Sequence, residues 1–188
     1  MSGAPGRLAR RVAIGLGLLV LAVALALSVD GTSPGTQVAH AAGPIEQAPA
    51  PAFHARDLDG HDVSLEELRS RGPVLVDFWA TWCTPCRAAL TELEDWRKRY
   101  GPRGLSIVAV SVDGPRNLAK VRPYVARLRV SFPVVVDDDG AIQGLYQVTE
   151  LPTAVLVDTA GRVAATRVGF RRGETGLATK LESLLPPE

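Results

Sequence analysis

The chain has 188 residues, is 46% apolar and carries a net charge of +1. That is enough apolar material for one globular core, and the charge balance excludes a general nucleic-acid surface. There are two cysteines and three histidines (His40, His54 and His61), so a tetrahedral metal site would need two ligands beyond the cysteines, and none is expected.

Residues 1–11 hold Arg7, Arg10 and Arg11 and no acid; 12–29 follow as an uncharged apolar run. The run lies at the lower limit of a spanning helix. Two readings stand. One is a signal peptide cleaved near Ala39-His40-Ala41; the other is an uncleaved membrane anchor, because the run is longer than an h-region of ~7–15 residues. Either places the remainder outside the cytoplasm, since the arginines stay inside. Residues 30–50 are rich in Gly, Pro, Ala, Ser and Thr without periodicity and predict a flexible linker. Residues 51–188 are expected to form one folded domain.

Within it, 52–63 predict a hairpin turning at Asp59-Gly60, with His54 and His61 on its surface. Ser64-Leu65-Glu66-Glu67 predicts a capping box that opens a short helix. Val74–Trp79, Val-Leu-Val-Asp-Phe-Trp, shows no alternation, as a strand buried on both faces does not. A helix follows over 84–100, with Leu90, Leu93, Trp96 and Tyr100 at helical spacing. Residues 105–112 predict a second buried strand, and 115–128 a helix interrupted near Pro123. Residues 132–136 form an extended run. Asp137-Asp138-Asp139-Gly140 reads as a solvated turn, because its spacing is not that of an EF-hand. A short helix over 142–148, paired strands at 153–157 and 163–168 and a closing helix over 173–185 complete the chain. This order predicts an α/β fold with a mainly parallel sheet whose last strand is antiparallel.

Cys83 and Cys86 stand where the first buried strand hands over to its helix. At i and i+3 they share a helical face within bridging reach. The unpaired N–H groups and partial positive charge of a helix N-terminus stabilise a thiolate, the species that attacks disulfides. Pro85 costs nothing in a first helical turn. Cys83 is expected to be the exposed nucleophile and Cys86 the buried resolving thiol. A purely structural bridge would close a very short loop and stabilise little. Asp77 lies in an otherwise apolar strand; burial would raise its pKa and let it exchange a proton with Cys86.

The segment Val-Asp-Phe-Trp-Ala-Thr-Trp-Cys-Thr-Pro-Cys at 76–86, with Leu151-Pro152-Thr153 downstream, resembles the active site of thioredoxin-like disulfide oxidoreductases. From about residue 50 onward the chain resembles their membrane-tethered or exported TlpA/ResA branch. The resemblance implies a thioredoxin fold, a central mixed β-sheet flanked by helices with an N-terminal β-hairpin. It equates Asp77 with the buried acid of thioredoxin. It implies a cis bond before Pro152, packed opposite the cysteines, with Leu151 pairing an incoming peptide by strand addition. Trp82, Thr84 and Pro85 complete the expected substrate contacts, and Trp79 is expected in the core. No cofactor is implied. The expected partners are disulfide-containing proteins, the membrane through 12–29, and a membrane electron donor, because the compartment is oxidising. The implied activity is extracytoplasmic disulfide reduction at the cell membrane, with cytochrome c maturation as one setting. The chain departs from many TlpA-branch relatives at Ala89 and Thr91, where they carry Glu and Pro. The alternatives are a disulfide-forming oxidase, a thiol peroxidase and a Cu(I)-handling dithiol. The P-x-x-x-T-x-x-C signature of the peroxidases is absent, since position 80 is Ala, and copper would lack a third ligand.

Overall fold

The computed structural model describes residues 46–187. The apolar run at 12–29 and the linker before residue 46 lie outside them. Among the described residues, no helix is long and apolar enough to cross a membrane. The end of the expected linker belongs to the folded unit. Gln47 N–H donates to Val163 O at 2.7 Å and Ala50 N–H to Gly161 O at 2.8 Å. Backbone pairing at a sheet edge needs no side-chain periodicity, so composition hid it.

The hairpin pairs β1 (His54–Arg56) with antiparallel β2 (Asp62–Ser64). Asp57 holds its turn, accepting from Asp59 N–H at 2.8 Å and His61 N–H at 2.9 Å, while Gly60 takes a φ of 87° that side chains resist. Ser64 caps α1 (Leu65–Arg69), its Oγ accepting from Glu67 N–H at 3.2 Å.

The main sheet contains β3 (Val74–Trp79), β4 (Ser106–Ser111), β5 (Val134–Val136), β6 (Thr153–Val157) and β7 (Val163–Val168), in the order β5-β4-β3-β6-β7. All six residues of central β3 are buried, which is why its sequence shows no alternation. The β3–β4 and β4–β5 ladders are parallel; β3–β6 and β6–β7 are antiparallel. The strand that opposes the others is therefore β6, not the last one. A tight turn joins β6 to β7 and forces them antiparallel, so once β6 opposes β3, β7 returns to the common direction.

Two layers cover the sheet. On one face Leu75, Trp79, Ala109 and Leu156 meet Leu90 and Leu93 of α2 (Thr84–Tyr100) and Leu181 of α5 (Gly176–Leu184). On the other, Val74, Val76, Phe78 and Val108 meet Phe53 of the hairpin segment, Leu65 and Leu68 of α1, and Ile142 and Tyr146 around α4 (Ala141–Leu145). Each fully buried side chain of this kind is worth about 1.5–3 kcal/mol.

Three helices differ from their expected spans. α3 (Leu118–Leu128) starts later than expected and runs unbroken through Pro123. The proline, at the middle of the helix, forfeits one backbone bond there, while buried Val121 and Val125 hold the helix to the core. α4 ends at Leu145 because Gln147 turns to a φ of 52°. α5 begins at Gly176, after Gly173 takes a φ of 81°. The acidic turn contributes a helix cap. Its buried Asp137 carboxylate accepts from Ile142 N–H at 3.0 Å and Gln143 N–H at 2.7 Å, at the start of α4.

Candidate active site

The segment after β3 is pinned before it reaches the cysteines. Val112 N–H donates to Trp79 O at 2.9 Å, and Cys83 N–H to Ala80 O at 3.1 Å. Thr81 donates twice to Asp113, from N–H at 2.8 Å and from Oγ1 at 2.6 Å. Asp113 is fully buried just past β4, where Ser111 Oγ also donates to it at 2.8 Å. Cys83 is the N-cap of α2, and Pro85 sits in its first turn. The cysteines are joined in a disulfide with their Cα atoms 5.4 Å apart. Cys83 keeps 6% of its surface and Cys86 none. The expected order of burial is present, but Cys83 is far less open than anticipated, because Trp79 and Ala80 pack into the same cluster as the cysteines. Trp82, next to Cys83, is 62% exposed, whereas Trp79 is fully buried and stacks on Tyr124 at 5.5 Å.

Asp77 is fully buried, and neither carboxylate oxygen has a hydrogen-bond partner among the described residues. It is not a strand-end residue facing water. It lies on the α2-facing side of β3, in alternation with Leu75 and Trp79, which pack in one cluster with both cysteines. Desolvation pushes its pKa up to about 8; the positive charge of Arg167 pulls down and the negative charge of Glu92 pushes further up. Arg167 belongs to the same row of the sheet, since Asp77 pairs with Ala154 and Ala154 with Arg167. Its Nη1 bonds Glu92 of α2 at 2.7 Å, while Nε and Nη2 are buried with no hydrogen-bond partner among the described residues, the guanidinium lying over the Trp96 and Phe170 rings.

The Leu151–Pro152 bond is cis, as the resemblance implied. Gly169 N–H donates to Pro152 O at 2.7 Å, and Thr153 Oγ1 to Glu150 O at 2.8 Å, fixing the entry into β6. Leu151 is half-buried, and its backbone has no hydrogen-bond partner among the described residues. Thr84 and Pro85 are exposed beside the disulfide. Among the described residues no three His, Cys, Asp or Glu side chains gather to hold a metal ion.

Thr81, Asp113, Glu92 and Arg167 join the site without being among the residues expected there. Asp113 carried a usable signal, an acid directly after an apolar strand, in the way Asp77 interrupts one. Arg167 was legible only as a cation in a strand. Its relation to Asp77 depends on the β3-β6-β7 order, which the chain does not spell out.

Residues 47–166 match the AhpC/TSA family. Over 180 residues the chain is 33% identical to the thiol-disulfide oxidoreductase ResA of Geobacillus kaustophilus, covering 96% of this chain and 97% of the relative. It is 35% identical over 124 residues to ResA of Bacillus subtilis, covering 66% of this chain and 68% of that one. Among solved structures, a putative thiol:disulfide interchange protein DsbE from Chlorobium tepidum superposes with a TM-score of 0.68 at 29% identity. That match covers 74% of this chain and 97% of the other.

Proposed function

The chain belongs to the AhpC/TSA family and is a ResA-like thiol-disulfide oxidoreductase, and from that premise we propose that it reduces protein disulfides outside the cytoplasm, with Cys83 attacking and Cys86 resolving. The observation that carries this reading is the buried, unpartnered Asp77 carboxyl on the side of β3 that faces the cysteine pair. A buried polar group without a partner costs stability, so its presence at a redox pair points to chemistry rather than to architecture.

The cycle starts from the dithiol. The Cys83 thiolate, favoured at the N-terminus of α2, attacks one sulfur of the substrate disulfide. The substrate S–S bond breaks, the departing thiolate takes a proton from solvent, and a mixed disulfide joins Cys83 to the substrate. Cys86 then gives its proton to ionised Asp77 and attacks Cys83 Sγ. The second substrate thiolate leaves and is protonated. The substrate has gained two electrons and two protons, and Cys83–Cys86 is the oxidised product. A dithiol donor at the membrane restores it. The backbone of Leu151, which has no hydrogen-bond partner among the described residues, would pair an extended substrate strand, with Pro152, Trp82, Thr84 and Pro85 as the other substrate contacts. The apolar run at 12–29 supports a tether at the cell membrane, and secreted thiol proteins, apocytochrome c included, are the substrate class.

Substitution of one cysteine at a time tests the order of attack. With Cys86→Ser, a disulfide substrate becomes covalently trapped on Cys83, visible by non-reducing electrophoresis and released by a thiol reductant. With Cys83→Ser, no adduct accumulates. Trapping by Cys83→Ser in place of Cys86→Ser would reverse the assignment.

A further inference from the structure

The segment 114–136 carries five cations (Arg116, Lys120, Arg122, Arg127 and Arg129) and no acid, in a chain whose net charge is only +1. α3 lies within this segment. Between it and Trp82 runs a groove of about 330 Å³ with Pro123 and Tyr124 in its wall and Lys120 and Arg127 at its edge. A second hollow of about 120 Å³ shares Tyr124 and Arg127 and reaches Arg87 of α2. No carboxylate lines either one. Arg122 is paired with Asp59 at 2.9 Å. Among the described residues, the Lys120 ammonium bonds only the neutral Asn117 side chain, at 2.8 Å, and Arg127 lies over the Tyr124 ring at 5.9 Å. The Tyr124 ring is stacked on buried Trp79, so the wall is fixed to the core. An exposed indole, a supported aromatic ring and three cations thus lie beside the nucleophile.

We propose that this groove between Trp82 and α3 docks the segment flanking the substrate's disulfide, and that the preferred segment is acidic with an apolar side chain. The inference rests on the reductase reading and gives it a substrate class. The apolar side chain would cover Trp82, Pro123 and Tyr124, removing apolar surface from water. The carboxylates would meet Arg87, Lys120 and Arg127, which raises the encounter rate and rejects basic segments by like charge.

The test uses the reduced full-length protein and two disulfide-linked peptide dimers, identical except that glutamates flank the cysteine in one and lysines in the other. Neutral 2-hydroxyethyl disulfide serves as a third substrate. At low ionic strength, the single-turnover second-order rate constant for reduction of the acidic dimer by the reduced protein is expected to exceed that for the basic dimer by about tenfold or more. The ratio should fall toward one at about 0.5 M salt. The double substitution Lys120→Glu with Arg127→Glu should invert the ratio, whereas Lys98→Glu, in the last turn of α2, should leave it unchanged. Because the readout is a ratio, loss of folded protein cancels. Equal rates for the two dimers, or a preference that survives the double substitution, would overturn the docking proposal while leaving the reductase intact. Failure to reduce the neutral disulfide as well as both dimers would overturn the reductase reading, and the docking proposal with it.

Discussion

Asp77 is costly to keep. It sits with no hydrogen bond in a layer of Leu75, Trp79 and Leu90, and desolvation raises its pKa from an ordinary 3.8 to about 8. The charges that act on it are those of Arg167 on β7 and Glu92 on α2; its sheet neighbours Ala109 and Ala154 carry no charge, and both cysteines belong to the cluster that covers this face of β3. Between these two pKa values the folded state binds a proton that the unfolded state has released. Stability therefore falls as pH rises from 4 toward 8. Asp77→Asn should remove that slope, gaining on the order of 2–4 kcal/mol at pH 8 and almost nothing near pH 4, as read by urea unfolding of the oxidised protein. The same variant should lose an inflection near pH 8 in the rate of disulfide exchange, because wild-type Asp77 becomes a base only as it ionises. Parallel stability curves and superimposable rate profiles for the two proteins would contradict the proton role. At this scale the sequence was informative wherever a residue broke its local pattern. Asp77 interrupts an apolar strand and the cysteines share a helical face, so both were visible. Thr81 and Arg167 break no pattern; their roles come from partners 32 and 75 positions away.

At the scale of elements, β3 and α2 were legible at both ends because several signals agree there. An unbroken apolar run, a Pro in the first turn and apolar spacing over four turns all mark the same boundaries. The weaker elements followed tertiary constraints instead. α3 passes through Pro123 because two valines anchor it, and the direction of β6 is set by pairing that no local window contains. Residues 12–29 lie outside the described residues and rest on hydropathy alone. If they form the proposed tether, the full-length protein will sediment with membranes, resist extraction by high salt or alkaline carbonate, and keep its N-terminus. A soluble protein whose N-terminus begins after residue 41 would instead identify a cleaved signal.

For the whole molecule, the sheet order puts the Asp77 carboxyl on the face of the sheet whose cluster holds the cysteine pair, with Leu151 packed against the same cluster and α3 bordering Trp82. The fold class could be reached from the chain because the strand, the helix and the hairpin each had a local signature. The substrate groove could not, because it exists only where α3 meets Trp82. The buried carboxyl bears on the balance between dithiol and disulfide. A strong oxidant needs a stabilised reduced form, and a carboxyl beneath the pair opposes negative charge on sulfur. The equilibrium reduction potential of Cys83–Cys86, measured against a defined dithiol buffer, separates a reductase from an oxidase. A reductase should show a value near that of thioredoxin, about −270 mV; a value near that of DsbA, about −120 mV, would make the protein a disulfide-forming oxidase instead.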